Sequence, residues 1–278
     1  MIDSIMDALI DTVKIIPYLF VAFLLLEFLE HKMSHKNEEF LKNNKKYGPI
    51  IGGILGGLPQ CGFSTMASSL FSSKVITMGT VIAVFLSTSD EMLPVMISES
   101  VNIISILKII GVKVLIGIIV GLIVDFILQK KHETDHIHDL CSRDHCDCDH
   151  DGIFKSSLKH TIKITFFILI ANVIINFIIF CIGEDVLKQF LEGGNIFTYF
   201  VSSLIGLIPN CASSVIITEL YLSNLISLGT LFSGLLTGSG LGLLLLFKNN
   251  DDKVENFTIL GIVYFVGVIV GLLIDIIF

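Results

Sequence analysis

Charge is scarce in this chain. Only 16% of its 278 residues are charged against 53% hydrophobic, and the mean hydropathy is +0.84. That balance excludes a soluble domain of this length. No basic stripe or groove is present, which removes nucleic acid as a partner. The phosphate-cradling pattern Gly-x-x-x-x-Gly-Lys-Ser/Thr is missing, so this chain does not hydrolyse ATP. His-Glu-x-x-His is missing too, and all eight histidines fall in polar loops or at helix starts, which leaves nothing for an intramembrane hydrolase. The six cysteines make no disulfide framework. Cys61, Cys181 and Cys211 lie in apolar segments, and Cys141, Cys146 and Cys148 share one polar linker. The run from Ile15 to Phe28 follows Asp3, Asp7 and Asp11 and lacks a small-residue cleavage site, so it reads as a first membrane helix rather than a cleaved leader. The net charge of -8 says little about partners, because the charges cluster in a few short segments.

What is present is a series of apolar runs, several close to the roughly 20 residues that span a bilayer. The first helix is expected over Leu9 to Glu30. An interrupted segment follows from Gly48 to Ser73, a second from Val75 to Ser98, and an unbroken helix from Ile103 to Leu128. A hydrophilic linker covers 129–157. The pattern then restarts: a helix from Leu158 to Ile182, interrupted segments from Ile196 to Ser223 and from Leu225 to Phe247, and a last helix from Phe257 to Phe278.

The interruptions carry the most information. Gly56-Gly57-Leu58-Pro59-Gln60-Cys61-Gly62-Phe63-Ser64 returns 150 positions later as Gly206-Leu207-Ile208-Pro209-Asn210-Cys211-Ala212-Ser213-Ser214. At the same offset Gly79-Thr80 pairs with Gly229-Thr230, Ser89 with Ser239, Gly111 with Gly261, and Gly117, Gly121 and Asp125 with Gly267, Gly271 and Asp275. Shared Gly, Pro, Cys, Ser and Asp at one constant offset mark an internal repeat rather than chance likeness of apolar sequence. Broken backbone at membrane depth is tolerated only where protein buries it or where it lines a cavity. Matching breaks in two halves point to a transporter's binding site.

The loop before the first motif carries Lys32, Lys36, Lys42, Lys45 and Lys46 against Glu38 and Glu39. Its counterpart carries Lys188 against Glu184, Asp185 and Glu192. Lysine-rich short loops stay cytoplasmic, so equivalent loops are expected on opposite sides. The expected fold is therefore all-α, a polytopic membrane protein of two inverted repeats, 1–128 and 158–278. Each holds about five helical pieces with re-entrant or broken helices. The N-terminus would be outside, with Lys74 and the central linker in the cytoplasm.

Several residues could carry chemistry. Pro59 and Pro209 break their helices. The freed carbonyls, the Gln60 and Asn210 amides and the Cys61 and Cys211 sulfurs could ligate a cation, or the next half-helix could favour an anion. A structural kink packed by small residues is the plainer alternative. Ser87-Thr88-Ser89-Asp90-Glu91 places two carboxylates inside an apolar run, where ionisable groups usually mark ion paths. Their oxygens suit hard cations such as Mn²⁺, whereas thiolates suit softer ions. The second half reads Thr237-Gly238-Ser239-Gly240-Leu241, so that charge is not duplicated. Lys113 either neutralises Asp90 or Glu91 in one transport state or snorkels outward with Lys108. Asp125 and Asp275 read as interfacial. The linker interleaves His132, His136, His138, Cys141, His145, Cys146, Cys148 and His150 with six aspartates, and this density binds transition metals. Cys146-x-Cys148 fits no closed zinc site, which suggests a flexible metal-collecting or sensing loop; incidental affinity in an acidic linker is the alternative.

These motifs resemble a family of ten-helix heavy-metal exporters of bacteria and archaea, labelled arsenic efflux proteins or manganese transporters. The likeness rests on Leu58 to Ser64, Ile76 to Thr80, Ser89 to Pro94, Ile208 to Ser214 and Thr218 to Tyr221, and it covers nearly the whole chain. It implies a multi-pass exporter of a metal or metalloid in the cell membrane. The expected activity is secondary export of a divalent metal, manganese first. Gln60, Cys61, Ser87, Ser89, Asp90, Glu91, Asn210, Cys211 and Ser239 would form the site, and Lys113 would gate it or pair its charge. Arsenite or organoarsenical efflux through Cys61 and Cys211 is the alternative. No cofactor is expected for transport, and the expected partners are the lipid bilayer and the ion.

Overall fold

The computed structural model describes residues 13, 16–17, 19–21, 23–24, 47–58, 61–89, 92–128, 153–182, 191 and 196–277, and helix is the regular structure among them. Each expected interruption divides a segment into two helices. α1 spans Gly48–Gly56 and starts around Pro49, whose missing N–H falls in the first turn, where no ladder bond is lost. α2 spans Cys61–Ser72. The second segment splits into α3, Met78–Ser87, and α4, Met92–Ser98. α5 runs unbroken over Ile103–Leu128, as the sequence predicts. In the second half α6 spans Ile153–Ile182, α7 Ile196–Gly206, α8 Cys211–Leu222, α9 Leu228–Thr237, α10 Leu241–Asn249 and α11 Lys253–Ile277.

One boundary differs from expectation. α6 begins at Ile153, inside the stretch read as linker. Phe154 explains the extension: its ring meets that of Phe20 edge to face, with centroids 5.3 Å apart. Nearby, Leu19 and Phe23 pack with Ile164 and Ile168 of α6 and with Leu241 and Leu245 of α10. A polar-looking helix start is thus held by apolar contact with the first helical segment.

α3 and α9 lie inside, and the unbroken α5 and α11 lie outside. Every residue from Gly79 to Ser87 in α3 and from Gly229 to Thr237 in α9 is buried. α5 and α11 bury only a narrow stripe and turn Phe126 and Ile276 outward, at 80% and 78% exposure. Four stretches among the described residues are long and apolar enough to cross a membrane: Met78–Ser98, Ile103–Leu128, Leu228–Asn249 and Lys253–Ile277. This is a polytopic helical membrane protein, and the outward apolar faces of α5 and α11 suit lipid.

The repeat seen in the sequence is repeated in side-chain chemistry. Thr77 caps α3 and donates to Asp125 Oδ2 at 2.6 Å, while the Gly79 N–H donates to Asp125 Oδ1 at 2.8 Å. At the matching place Ser227 caps α9 and donates to Asp275 Oδ2, and the Gly229 N–H donates to Asp275 Oδ1 at 2.7 Å. A carboxylate from the last turns of a long helix therefore satisfies the open N-terminus of its neighbour, where the helix dipole favours negative charge. Small residues allow this approach. A Cβ on Gly271 would lie 2.7 Å from the Gly229 carbonyl oxygen, and one on Gly121 would lie 2.5 Å from that of Gly79. Asp125 and Asp275 are thus interhelical anchors rather than solvated interfacial acids, and Asp125 is only 9% exposed.

The two halves also meet. α2 packs on α10, with the Ser68 hydroxyl donating to the Gly242 carbonyl at 2.7 Å. A Cβ on Gly242 would stand 2.7 Å from that of Ser64. The matching meeting of α8 with α4 is less extensive, and there Met92 takes the place that Gly242 holds. Beyond the α2–α10 seam, Lys74 Nζ donates to Glu255 Oε2 at 2.9 Å.

Removing an anchor should be costly. Asp125→Ala leaves a buried N–H unpaired, a loss of about 1–3 kcal/mol, and should lower the thermal midpoint of the purified protein by several degrees. Asp125→Asn keeps an acceptor and should lose less than half as much. Equal midpoints for the alanine variant and the wild type would count against the anchor.

Candidate functional site

Five helix ends converge on one small cavity lined mostly by polar residues and glycines. From the first half come Thr88 and Ser89, at the break after α3, and Lys113 of α5. From the second come Gly206 at the end of α7, and Asn210, Ser213 and Ser214 at the start of α8. Gly238 and Gly240, at the break between α9 and α10, close it together with Leu235. The cavity has room for about one water-sized particle. Its walls are hydroxyls, an amide, backbone, one cation and the apolar Leu235 side chain.

Local sequence explains each wall. α3 ends where Ser87, Thr88 and Ser89 offer hydroxyls that compete with the ladder. Ser87 Oγ donates to Ala83 O at 2.7 Å, Thr88 Oγ1 to Val84 O at 2.7 Å and Ser89 Oγ to Ser87 O at 3.2 Å. Thr88 leaves the helix at φ -54, ψ 130. In the second half Gly240 takes φ 55, ψ -143, a conformation essentially reserved for glycine. Gly240 stands at the repeat position of Asp90. A side chain there would strain the backbone, which is a physical reason why the acid is not duplicated.

Asn210 caps α8, its Oδ1 accepting from the Ala212 N–H at 3.1 Å. The proline before it ends the preceding segment, and asparagine is among the preferred caps. The N-terminus of α8, where a helix dipole is positive, therefore adjoins the cavity.

Lys113 is fully buried, at 0% exposure. Its ammonium donates to the Thr88 carbonyl oxygen. The snorkelling alternative is thereby set aside for Lys113, whereas Lys108 is exposed. Lys113 is the one charged side chain among the described residues that lines the cavity. It approaches the C-terminal end of α3, the end that favours positive charge.

The expected site residues divide three ways. Ser89, Asn210 and Lys113 come together at the cavity. Ser87 and Ser239 are buried beside it without lining it. The backbones of Cys61 and Cys211 open α2 and α8, while their side chains lie outside the described residues, as do Gln60, Asp90 and Glu91. The same holds for His132, His136, His138, Cys141, His145, Cys146, Cys148 and His150. Among the described residues no three His, Cys, Asp or Glu side chains gather into a metal-holding group. The sequence reading passed over Thr88, Ser213, Ser214, Gly238 and Gly240. The duplicated motifs contain all five, and the 150-residue offset was the signal that could have found them.

Fold and site together define a multi-pass helical membrane protein with a polar cavity where broken helices of two repeats meet. The chain belongs to the family described as "Putative, 10TM heavy-metal exporter", whose model matches residues 1–186 and, in a second overlapping match, 130–245. No curated protein and no solved structure matches it.

Asn210 does two separable things: it caps α8 and it walls the cavity. Asn210→Ala should cost about 1 kcal/mol of stability, read as a lowered thermal midpoint. Asn210→Asp, also a good cap, should hold the midpoint near that of the wild type. A stable alanine variant would show that the cap is not needed.

Proposed function

We propose that this protein is a secondary transporter that exports a divalent heavy metal, manganese first, across the cytoplasmic membrane. The observation that carries the reading is the cavity shared by both repeats: Thr88 and Ser89 face Asn210, Gly238 and Gly240 across it. Discontinuous helices of this kind bind substrate and coupling ions at the interface of inverted repeats. Asp90 and Glu91, next in the chain after Ser89, would alternately hold metal and protons. Gln60, Asn210, Cys61, Cys211, Ser87 and Ser239 would complete or support the site. The Lys113 ammonium would balance the two carboxylates in one transport state. Oxygen-rich ligation favours a hard cation over a soft one. The linker's imidazoles and thiols would collect transition metal on the cytoplasmic side.

The inverted arrangement belongs to the same reading. Glu255 lies in the first turn of α11 and Asp275 near its last, roughly 30 Å apart along the axis. Lys74, three residues before Thr77 and its Asp125 anchor, pairs with Glu255. Ser227, the counterpart of Thr77, binds Asp275 at the other end. Equivalent anchors at opposite ends of one helix support repeats of opposite orientation. Impermeant labelling of cysteines placed at Lys74 and Asn224 should report opposite compartments; one shared compartment would overturn the inversion.

A second reading, arsenite or organoarsenical efflux, draws on the cysteines that open α2 and α8. One paired comparison separates the two. Asp90→Asn with Glu91→Gln, at normal membrane levels, should reduce manganese tolerance to that of cells without the protein, whereas Cys61→Ser with Cys211→Ser should leave it within about twofold of wild type. Loss of arsenite tolerance on thiol removal, with the carboxylate variant still protective, would favour the second reading. Undiminished manganese protection by the carboxylate variant would overturn the first.

A further inference from the structure

We propose that the Lys74–Glu255 ion pair is a latch between the repeats: it holds the α2–α10 seam shut on one side of the cavity, and the seam opens when the pair parts. The seam leads outward from the cavity. Gly242, where α10 meets Ser64 and Ser68 of α2, lies two residues beyond Gly240 of the cavity wall. From there α10 runs roughly 13 Å to its end at Asn249. At that far end Lys74, two residues past α2, donates to Glu255 Oε2 at 2.9 Å.

Glu255 is held in place for this contact. The same Oε2 accepts from Asn250 Nδ2 at 3.2 Å. Asn250 also donates to Asn256 Oδ1 at 2.8 Å, and Asn256 Nδ2 donates back to the Asn250 carbonyl at 2.9 Å. Both asparagines are buried, at 4% and 0% exposure. A carboxylate positioned by buried amides loses little freedom on pairing, which is the main cost of an ordinary surface ion pair. The lysine is placed at some expense. Lys74 takes φ 58, a region where lysine is uncommon and asparagine enriched. Backbone held in this way clusters at clamps and switches. The Lys74 ammonium also stands 5.4 Å from the centre of the Phe71 ring, within reach of a cation–π contact.

The second repeat keeps the loop and omits the latch. Asn224, at the position of Lys74, has the same φ of 58. Ser100, Ser105 and Ile106 stand where the first seam has Asn250, Glu255 and Asn256. An asparagine and a serine cannot form an ion pair. Asn224, Ser100 and Ser105 are exposed, and the α4–α8 seam is less extensive. The loop therefore folds without a lysine, and the charge in the first repeat serves the contact between halves. One seam is fastened and its twin is not. A site shared by two repeats opens to one side while it is shut to the other, and this inequality fits such a state. The inference rests on the transport reading of the cavity, whichever ion is carried.

The experiment uses purified full-length protein with one engineered thiol, Ser72→Cys, buried on α2 one turn beyond Ser68. Its reaction with a polar maleimide is timed and read on that peptide by mass spectrometry, apart from the native cysteines. Lys74→Asn gives the loop the residue that its twin already carries, so the backbone is relieved while the ion pair is lost. With Lys74→Asn, and with Glu255→Gln, labelling at position 72 should quicken about threefold or more. Lys74→Arg should leave the rate as it was. The thermal midpoint of Lys74→Asn should stay within about 3 °C of wild type. Leu222→Cys, at the matched position on α8, should not quicken. Unchanged labelling at position 72 would overturn the latch, and so would equal quickening at both positions. A larger fall in the midpoint would make the pair a structural strap and would overturn it too. If Ser72→Cys cannot be purified, amide exchange of wild type and Lys74→Asn decides: faster exchange confined to α2 and α10 supports the latch, while unchanged or general exchange overturns it. None of these readouts measures metal transport, so the latch and the export reading can fail separately.

Discussion

A helix broken inside a bilayer strands backbone donors and acceptors where lipid offers no partner. That constraint runs through this protein. The open start of α3 is met by Asp125 and that of α9 by Asp275. The start of α8 is met by its own Asn210 side chain. The carbonyl at the break after α3 is met by Lys113. Hydroxyls of Ser87, Thr88 and Thr237 fold back on the turn before them. Each of these groups is polar and all but Asp275, which is half-buried, are buried, so answering the breaks also makes the protein's interior polar at one point. The cavity is where several such answers come within reach of one another.

Duplication separates architecture from chemistry. Features present in both halves hold helices together: the capping hydroxyls of Thr77 and Ser227, the anchoring aspartates, and the glycines through which α3 meets α5 and α9 meets α11. Features present in only one half cluster at the cavity and at the seams between halves. Lys113 stands against Val263, Met92 against Gly242, and Lys74 against Asn224. The α2–α10 seam is close, hydrogen-bonded and fastened by the Lys74–Glu255 pair, while the α4–α8 seam is looser. Such inequality between matched seams suits a protein whose two halves do not present the same face to both sides of the membrane.

Much of this was legible beforehand because membrane helices advertise themselves. The limits of α5 were read to the residue, since an unbroken apolar run flanked by polar residues has one way to be satisfied. The breaks were legible because proline, glycine and paired hydroxyls act on their own backbone. The start of α6 was misplaced because Phe154 finds its partner, Phe20, more than a hundred residues away. Asp125 looked interfacial for a similar reason. Its place near a helix end is a local fact, but its bonds to Thr77 and Gly79 belong to the packing of α5 on α3.

The sequence by itself determined the class of protein, the order of its helices, the positions of the breaks and the 150-residue repeat, because hydropathy, helix-breaking residues and internal likeness are properties of neighbours along the chain. Tertiary structure decided which breaks share a cavity, that Lys113 turns inward to a carbonyl rather than outward to lipid headgroups, and that the two aspartates anchor helices. Those outcomes depend on distances between segments far apart in the chain. A lysine on an apolar helix has the same local sequence whether it faces the bilayer or the core, and only the neighbouring helix supplies the oxygen that makes burial tolerable.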